Sequence, residues 1–256
     1  MDWATKYEFL SELVKSGEKL GFGDNFFLKF YQAFLYNDRW VLYLKGVGTT
    51  LVVTLFALLL GVLLGAIVAL VRTAHDQQKS RKNIILGVLN SIFKIYVTVI
   101  RGTPMMVQLL IMGMVIFSHS RNFTFVGTLT LGINSGAYVS EIIRGGLMAV
   151  DGGQMEAGRS LGLNYIQTMI RIIIPQAIKA VLPALGNEFI ILLKDTSLIT
   201  VIGGKELLYA AQGVMGRTYE AMFPLLGIAA IYLILVMIFT WLLGILERRL
   251  RQSDRR

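Results

Sequence analysis

Cysteine is absent from the 256 residues, and histidine occurs only twice, at His75 and His119. A disulfide-stapled scaffold is thereby excluded, and no zinc set with the usual Cys/His spacing exists, so the two histidines read as ordinary loop residues. The missing cysteine says nothing about compartment. Charge is also scarce, since Asp, Glu, Lys and Arg make up 16% of the chain against about 25% in ordinary soluble domains. Disorder needs the opposite bias. The 26 glycines follow no triplet period, which excludes a collagenous chain. What remains is apolar: 55% of residues are hydrophobic and mean hydropathy is +0.63, so a bilayer is the expected solvent. The net charge of +9 fits a membrane surface better than nucleic acid, because the basic residues are not interleaved with an aromatic platform.

Residues 46–71 carry no charge over 26 positions, about 39 Å of helix against a hydrocarbon core of about 30 Å. Residues 221–246 do the same over 26 positions and residues 122–140 over 19. Residues 102–118, extended toward the interface by 95–100, make a further span. Residues 172–193 contain Pro175, Pro183, Lys179 and Glu188, which a membrane tolerates where they face protein or a water-filled cavity. The pattern predicts an all-α integral membrane protein of about five transmembrane helices.

Lys and Arg set the orientation. Thirteen flank one side: Arg72, Lys79, Arg81 and Lys82, then Arg144, Arg159, Arg171 and Lys179, then Arg248, Arg249, Arg251, Arg255 and Arg256. Four lie in the opposite loops, Arg121, Lys194, Lys205 and Arg217. This predicts a multi-pass protein of the cell membrane with the N-terminus outside and the C-terminus cytoplasmic. Residues 1–45 form an extracytoplasmic or interfacial segment, 46–250 the transmembrane domain and 251–256 a basic cytoplasmic tail. The first segment lacks the pattern of a signal peptide and is expected to stay on. Its Phe26, Phe27, Phe30, Tyr31 and Phe34 recur at helical spacing, which suits either a helix lying in the outer interface or a packed cap on the bundle.

Catalytic signatures are missing. No nucleophile elbow occurs, and Gly203-Gly204-Lys205 lacks the earlier Gly and following Ser/Thr of a phosphate loop, so the chain is not expected to bind ATP itself. The informative stretch is the inner loop at about 150–175. Asp151 with Gln154 reads as a capping box opening a short helix. Ile166, Met169, Ile170, Ile173 and Ile174 follow at i, i+3, i+4, i+7 and i+8, a second helix after a bend near Gly162 and Leu163. Such a loop is built as a rigid docking knob. Gly61 with Gly65 and Gly132 with Gly136 are small-x3-small pairs that let helices approach closely. Glu141 and Arg144, three apart, read as a structural pair. Arg101 either holds a bent helix start or faces a partner.

Glu156-Ala157-Gly158, then Gly162, then Ile172-x-Ile174-Pro175 resembles the EAA loop of ATP-binding cassette importer permeases. Arg101-Gly102-Thr103-Pro104, Asn134-Ser135-Gly136-Ala137-Tyr138, Glu141 to Gly146, Gly186-Asn187-Glu188-Phe189 and Leu193 to Leu198 are similar to the polar amino acid branch of that family. The resemblance covers about residues 46–250, while residues 1–40 are longer and more aromatic than is usual there. It implies that Glu156, Ala157, Gly158, Gly162 and Leu163 seat in a separate cytoplasmic ATPase, which alone binds ATP and Mg. Gly158 and Gly162 are then expected to expose backbone for close approach, and Glu156 to hold the loop through an Arg or a backbone N–H. Gly158 in place of Ala is expected to loosen the helix slightly. The resemblance further implies a second permease subunit, identical or related, and an extracytoplasmic binding protein.

Glu188 and Asp195 are seven apart on one helical stripe, with Asn187 and Lys194 on the adjacent one. Both signs of charge near one site would match an amino acid zwitterion. Glu188 and Asp195 would take the ammonium, and Lys194, Ser135 or Asn134 the carboxylate. The alternative, in which these residues are interhelical glue or the interface-level end of the span, accounts for the spacing equally well. The expected activity is that of a transport subunit, not an enzyme, working by alternating access. A secondary transporter or gated channel driven by an ion gradient is the rival reading.

Overall fold

The computed structural model describes residues 2–76 and 83–253, and every regular element among them is helical. Hydrocarbon offers backbone N–H and C=O groups no partner, and a helix satisfies them within one segment. α1 (Trp3–Lys15) and α2 (Phe22–Phe34) form a hairpin at one end. α3 (Trp40–Asp76) follows, 37 residues or roughly 55 Å long. It is succeeded by α4 (Ile84–Gly102), α5 (Met105–Leu110) with its π-helical continuation Ile111–Ile116, and α6 (Phe123–Met148). α7 (Gly152–Ser160) and α8 (Tyr165–Thr168) make a knob at the other end. α9 (Ile174–Asp195), α10 (Leu207–Thr218) and α11 (Met222–Ser253) complete the chain.

α3, α4, the continuous run Tyr165–Ile202 and Met222–Leu250 are each long and apolar enough to cross a membrane. α6, at the expected 122–140 span, is long enough but falls short in hydropathy, because it lies inside the bundle and is lined with Gly, Ser and Thr. The expected second span is corrected. Residues 95–118 are not one helix: α4 ends at Gly102, Thr103 and Pro104 are extended, and α5 restarts at Met105. Proline lacks the N–H that would continue the ladder and forces the residue before it away from helical geometry.

α3 and α6 run in the same direction and mesh through small residues. A Cβ at Gly61 would stand 2.7 Å from Ser135 Oγ, and one at Gly65 2.7 Å from Val139 Cγ1. From the other side, a Cβ at Gly132 would meet Leu60 Cδ2 at 2.6 Å and one at Gly136 would meet Leu64 Cβ at 2.9 Å. The opposite face of α3, with Phe56, Leu59, Leu63, Ile67 and Leu70, is exposed and suits lipid. Small residues thus face protein and large ones face hydrocarbon, the arrangement expected where lipid is as apolar as Leu.

Contacts at the two ends sort the loops. Lys29 Nζ lies 2.7 Å from Glu220 Oε2, and the Lys205 N–H donates to Thr124 Oγ1 at 2.8 Å, so α2 and the starts of α6, α10 and α11 share one end. Arg144 Nη1 donates to Asp76 Oδ2 at 2.8 Å, putting the last turns of α3 and α6 beside the knob. Arg72, Arg144 and Arg159 therefore lie together, and Lys205 and Arg217 lie at the opposite end, as the cation count predicts. Lys79, Arg81, Lys82, Arg255 and Arg256 lie outside the described residues.

Gly65→Ala should destabilise the protein by about 1–3 kcal/mol through overpacking. Gly48→Ala, where a Cβ meets nothing within 4 Å, should be neutral or stabilising by up to about 1 kcal/mol. Thermal unfolding of the detergent-solubilised protein measures both. The hydrogen bond from Lys29 holds Glu220 below the usual carboxylate range, aided by the Met222 N–H. A depressed carboxylate stabilises fully above its ordinary pKa of about 4.3 and loses that contribution as pH falls through the folded value. Acidification below about pH 4 should loosen the α1–α2 hairpin from α11, read as faster proteolysis of that hairpin, and Lys29→Met should reduce the pH dependence.

Candidate functional site

The knob is fixed at each joint by local chemistry. Asp151 accepts from the Gly153 N–H at 2.7 Å and caps α7. Gln154 does not complete the expected box; its side chain instead accepts a long bond from Gln176 Nε2 at 3.4 Å. The capping box is at the second helix, where Asn164 accepts from the Gln167 N–H at 2.9 Å and Gln167 from the Asn164 N–H at 3.0 Å. Between the two helices the Leu163 N–H donates to the Gly158 carbonyl at 3.1 Å and the Gly162 N–H to the Arg159 carbonyl at 3.0 Å. This is a Schellman turn, and its left-handed residue is Gly162 with φ of 81°.

The expected role of Gly158 is corrected. It is buried, and a Cβ there would stand 2.5 Å from Thr168 Cγ2, so Gly158 closes the gap between the two helices of the knob instead of offering backbone outward. Glycine at this position tightens the element instead of loosening it. Glu156 and Ala157 are exposed on α7, Leu163 is half-buried, and Glu156 makes no hydrogen bond or ion pair among the described residues, so the expected internal partner is not there. The apolar periodicity of the second helix divides: Met169 and Ile173 are buried, whereas Ile166 and Ile170 are 65% and 60% exposed, and Leu161, which caps the first helix, is 80% exposed. A well-capped knob thus carries an uncovered apolar surface beside a free carboxylate.

The knob has two roots. α7 follows α6 after three residues, and α8 runs through the π-helical Met169–Ile173 directly into α9. Higher in the bundle α6 and α9 meet at Ser135, whose Oγ donates to Glu188 Oε1 at 2.8 Å; both side chains are buried. Asn187 and Lys194 are exposed and Asp195 is half-buried at the end of α9. Within one chain, then, the two stripes face different ways. Glu188 looks to α6, and Lys194 looks out of the bundle.

Asn134 is engaged by a residue that spacing did not single out. Its Nδ2 donates to Gln108 Oε1 at 3.0 Å, while Gln108 Nε2 donates to the Ile100 carbonyl at 2.8 Å and reaches Thr103 Oγ1 at 2.8 Å. Ile100 is the residue whose carbonyl the N–H of position 104 would bond in an unbroken helix, and Pro104 has none. The Gln108 amide supplies the missing donor. A polar side chain four residues after a span's proline is the signal that could have found it. Glu141 is likewise satisfied across helices: it pairs with Arg72, and Arg144 with Asp76, while the Glu141–Arg144 separation on α6 is 3.9 Å. Arg101 lies over the Tyr138 ring at 5.3 Å.

A polytopic helix bundle with a rigid knob rooted in the two helices that carry its buried Ser–Glu contact is a membrane permease, of the ATP-binding cassette importer type by its fold. Residues 83–252 match the family described as binding-protein-dependent transport system inner membrane component, and the chain belongs to that family. The putative glutamine transport system permease protein GlnP of Rickettsia typhi is 34% identical over 228 residues, covering 88% of this chain and 97% of that one. The glutamine transport system permease protein GlnP of Escherichia coli K12 is 33% identical, covering 82% and 93%. Among solved structures, an amino acid ABC transporter with histidines matches with a TM-score of 0.73 at 42% identity, covering 81% of this chain and 94% of that one. The inward-facing MetNI methionine transporter matches at 0.70 and 18% identity, a likeness of fold. The resemblance drawn from the knob and the ordered motif blocks therefore holds. The chain is a transport component and not itself an enzyme.

Gln108→Leu leaves the Ile100 carbonyl and the Asn134 amide without partners away from water and should cost about 1–3 kcal/mol in a denaturant titration in detergent. Asn134→Ala, which removes one bond, should cost less.

Proposed function

We propose that this chain forms the translocation pathway of an ATP-driven amino acid importer. It works with a second permease subunit, a cytoplasmic ATP-binding cassette ATPase and an extracytoplasmic amino acid-binding protein. ATP and Mg belong to the ATPase. The N-terminus lies outside and the C-terminus in the cytoplasm, a reading supported by the clustering of cations at the knob end.

One observation carries the coupling: the exposed Leu161, Ile166, Ile170 and Glu156 sit on an element locked by a Schellman turn and a capping box. Such a surface transmits force because it cannot deform locally. Its roots are α6 and α9, so closure of the ATPases around ATP shifts these two helices against each other. The Ser135–Glu188 contact lies between them, and alternating access consists of opening and closing the pathway at that level. Glu188, with Asp195 about two turns along the same stripe, receives the ammonium end of the amino acid. Lys194 and Asn187, which face out of the bundle, meet the carboxylate from the side where the second subunit completes the path, with Asn134 and Ser135 at its inner wall. Burying either charge of a zwitterion alone is costly, and a divided set of partners answers both.

Purification with the cognate ATPase tests this reading. Glu156→Lys or Gly162→Trp should release the ATPase, while Glu188→Gln and Asp195→Asn should retain it and lower amino acid uptake roughly tenfold to a hundredfold, since a hydrogen bond to a charged group is worth about 1.5–3 kcal/mol. Uptake that persists without ATP and follows a proton or sodium gradient would overturn the importer assignment in favour of a secondary transporter.

A further inference from the structure

The α1–α2 hairpin carries a stripe of phenylalanine that its own fold covers only in part. Phe22, Phe26, Phe30 and Phe34 recur every fourth residue on one face of α2. The C-terminal half of the stripe is occupied. Phe34 packs against Tyr43 with ring centroids 5.5 Å apart, and a Cβ at Gly227 of α11 would stand 2.6 Å from the Phe34 ring. Phe30 meets Phe34 and Phe223. The N-terminal half is open: Phe22 is 89% exposed and Phe26 51%, the latter touching protein edge-on at Phe223, 4.9 Å between centroids.

What adjoins the open half is the lipid-facing side of the bundle. From Phe223, α11 continues with Leu226, Leu233, Met237 and Trp241, all well exposed on a membrane-spanning helix. Trp40, at the start of α3, and Trp3, edge-on to Phe27 at 5.9 Å, are exposed at the same end. Of the hairpin's charges nearby, Lys6 pairs with Asp24 at 3.2 Å and lies over the Phe27 ring, and Lys29 pairs with Glu220, while Glu18 and Lys19, of opposite sign, are exposed in the turn before Phe22. Exposed aromatics at the level where spans end, next to neutralised charge, fit the headgroup and upper acyl layer.

We propose that the α1–α2 hairpin is a monotopic membrane anchor whose Phe22–Phe26 edge inserts into the interfacial layer of the leaflet opposite the knob. The occupant of the open stripe is lipid and not a second copy, because the stripe meets α11 at the buried Phe223, next to the point where the exposed acyl-facing side of that helix begins at Leu226. The hairpin therefore clasps the starts of α3 and α11 from the side and holds them at a set depth in that leaflet.

The test places the only tryptophan at the edge. In a chain carrying Trp3→Phe, Trp40→Phe and Trp241→Phe, the Phe22→Trp variant is reconstituted in full length into phosphatidylcholine vesicles. Its emission should be blue-shifted, should fall in vesicles made with lipid brominated near the carbonyl end of the acyl chains, and should resist aqueous acrylamide. Phe22 is almost fully exposed, so the substitution leaves the packed half of the stripe untouched; a spin label at Phe22→Cys reporting the same depth gives an independent reading. Quenching by acrylamide with none by bromolipid would put the edge in water and overturn the proposal. Quenching by neither would mean that protein covers the stripe, and would overturn it as well.

Discussion

Between two helices in a bilayer the hydrophobic effect has nothing to gain, since lipid tails are as apolar as leucine; what remains is how closely the backbones can come. In this protein that approach is made along α3 and α6. Glycines on each helix receive side chains from the other, and added Cβ atoms at Gly61, Gly65, Gly132 and Gly136 would all fall within 3 Å of the neighbour. Every other feature is arranged around this seam. α6 is enclosed by it and thereby released from the need to be hydrophobic, which is why it can carry Asn134, Ser135 and Ser140 through the middle of the molecule.

Polar groups on an enclosed helix must find partners, and they do so by bridging to the next element out. Ser135 reaches Glu188 on α9, and Asn134 reaches Gln108 on α5. Tyr96 on α4 donates to the Ile133 carbonyl at 2.5 Å. At the knob end Glu141 and Arg144 cross to Arg72 and Asp76 on α3. These bonds hold α4, α5 and α9 to the central pair at defined heights. The break at Pro104 is part of the same scheme, because a single side chain, Gln108, both repairs the interrupted ladder and ties it to α6.

Rigidity at the knob has a different origin. It is local, coming from one left-handed glycine, two caps and the Gly158–Thr168 contact, and so it does not rely on the bundle above. That independence suits an element proposed to bear load from a partner while its roots in α6 and α9 slide. The hairpin at the opposite end is built by aromatic stacking instead. It is held to the bundle by Phe30, Phe34 and the Lys29–Glu220 pair, and its outer edge is left to its surroundings.

Much of this architecture is legible from the chain alone because its causes are local. Hydropathy over 20 or more residues reports the solvent, cation counts report which loops share a side, and the need for positive φ at Gly162 reports a bend. Asn164 with Gln167 carried a capping signature that Asp151 with Gln154 imitated, and only the hydrogen bonds separate the two. The remaining features were decided by tertiary structure, since they depend on which helix stands opposite. That Glu188 looks inward and Lys194 outward, that Gly158 meets Thr168, that Glu141 pairs with Arg72 of α3 as well as with Arg144, and that the phenylalanine stripe is half covered all follow from neighbours distant in sequence. Spacing along one helix fixes which residues share a face, but it is silent about what that face will touch.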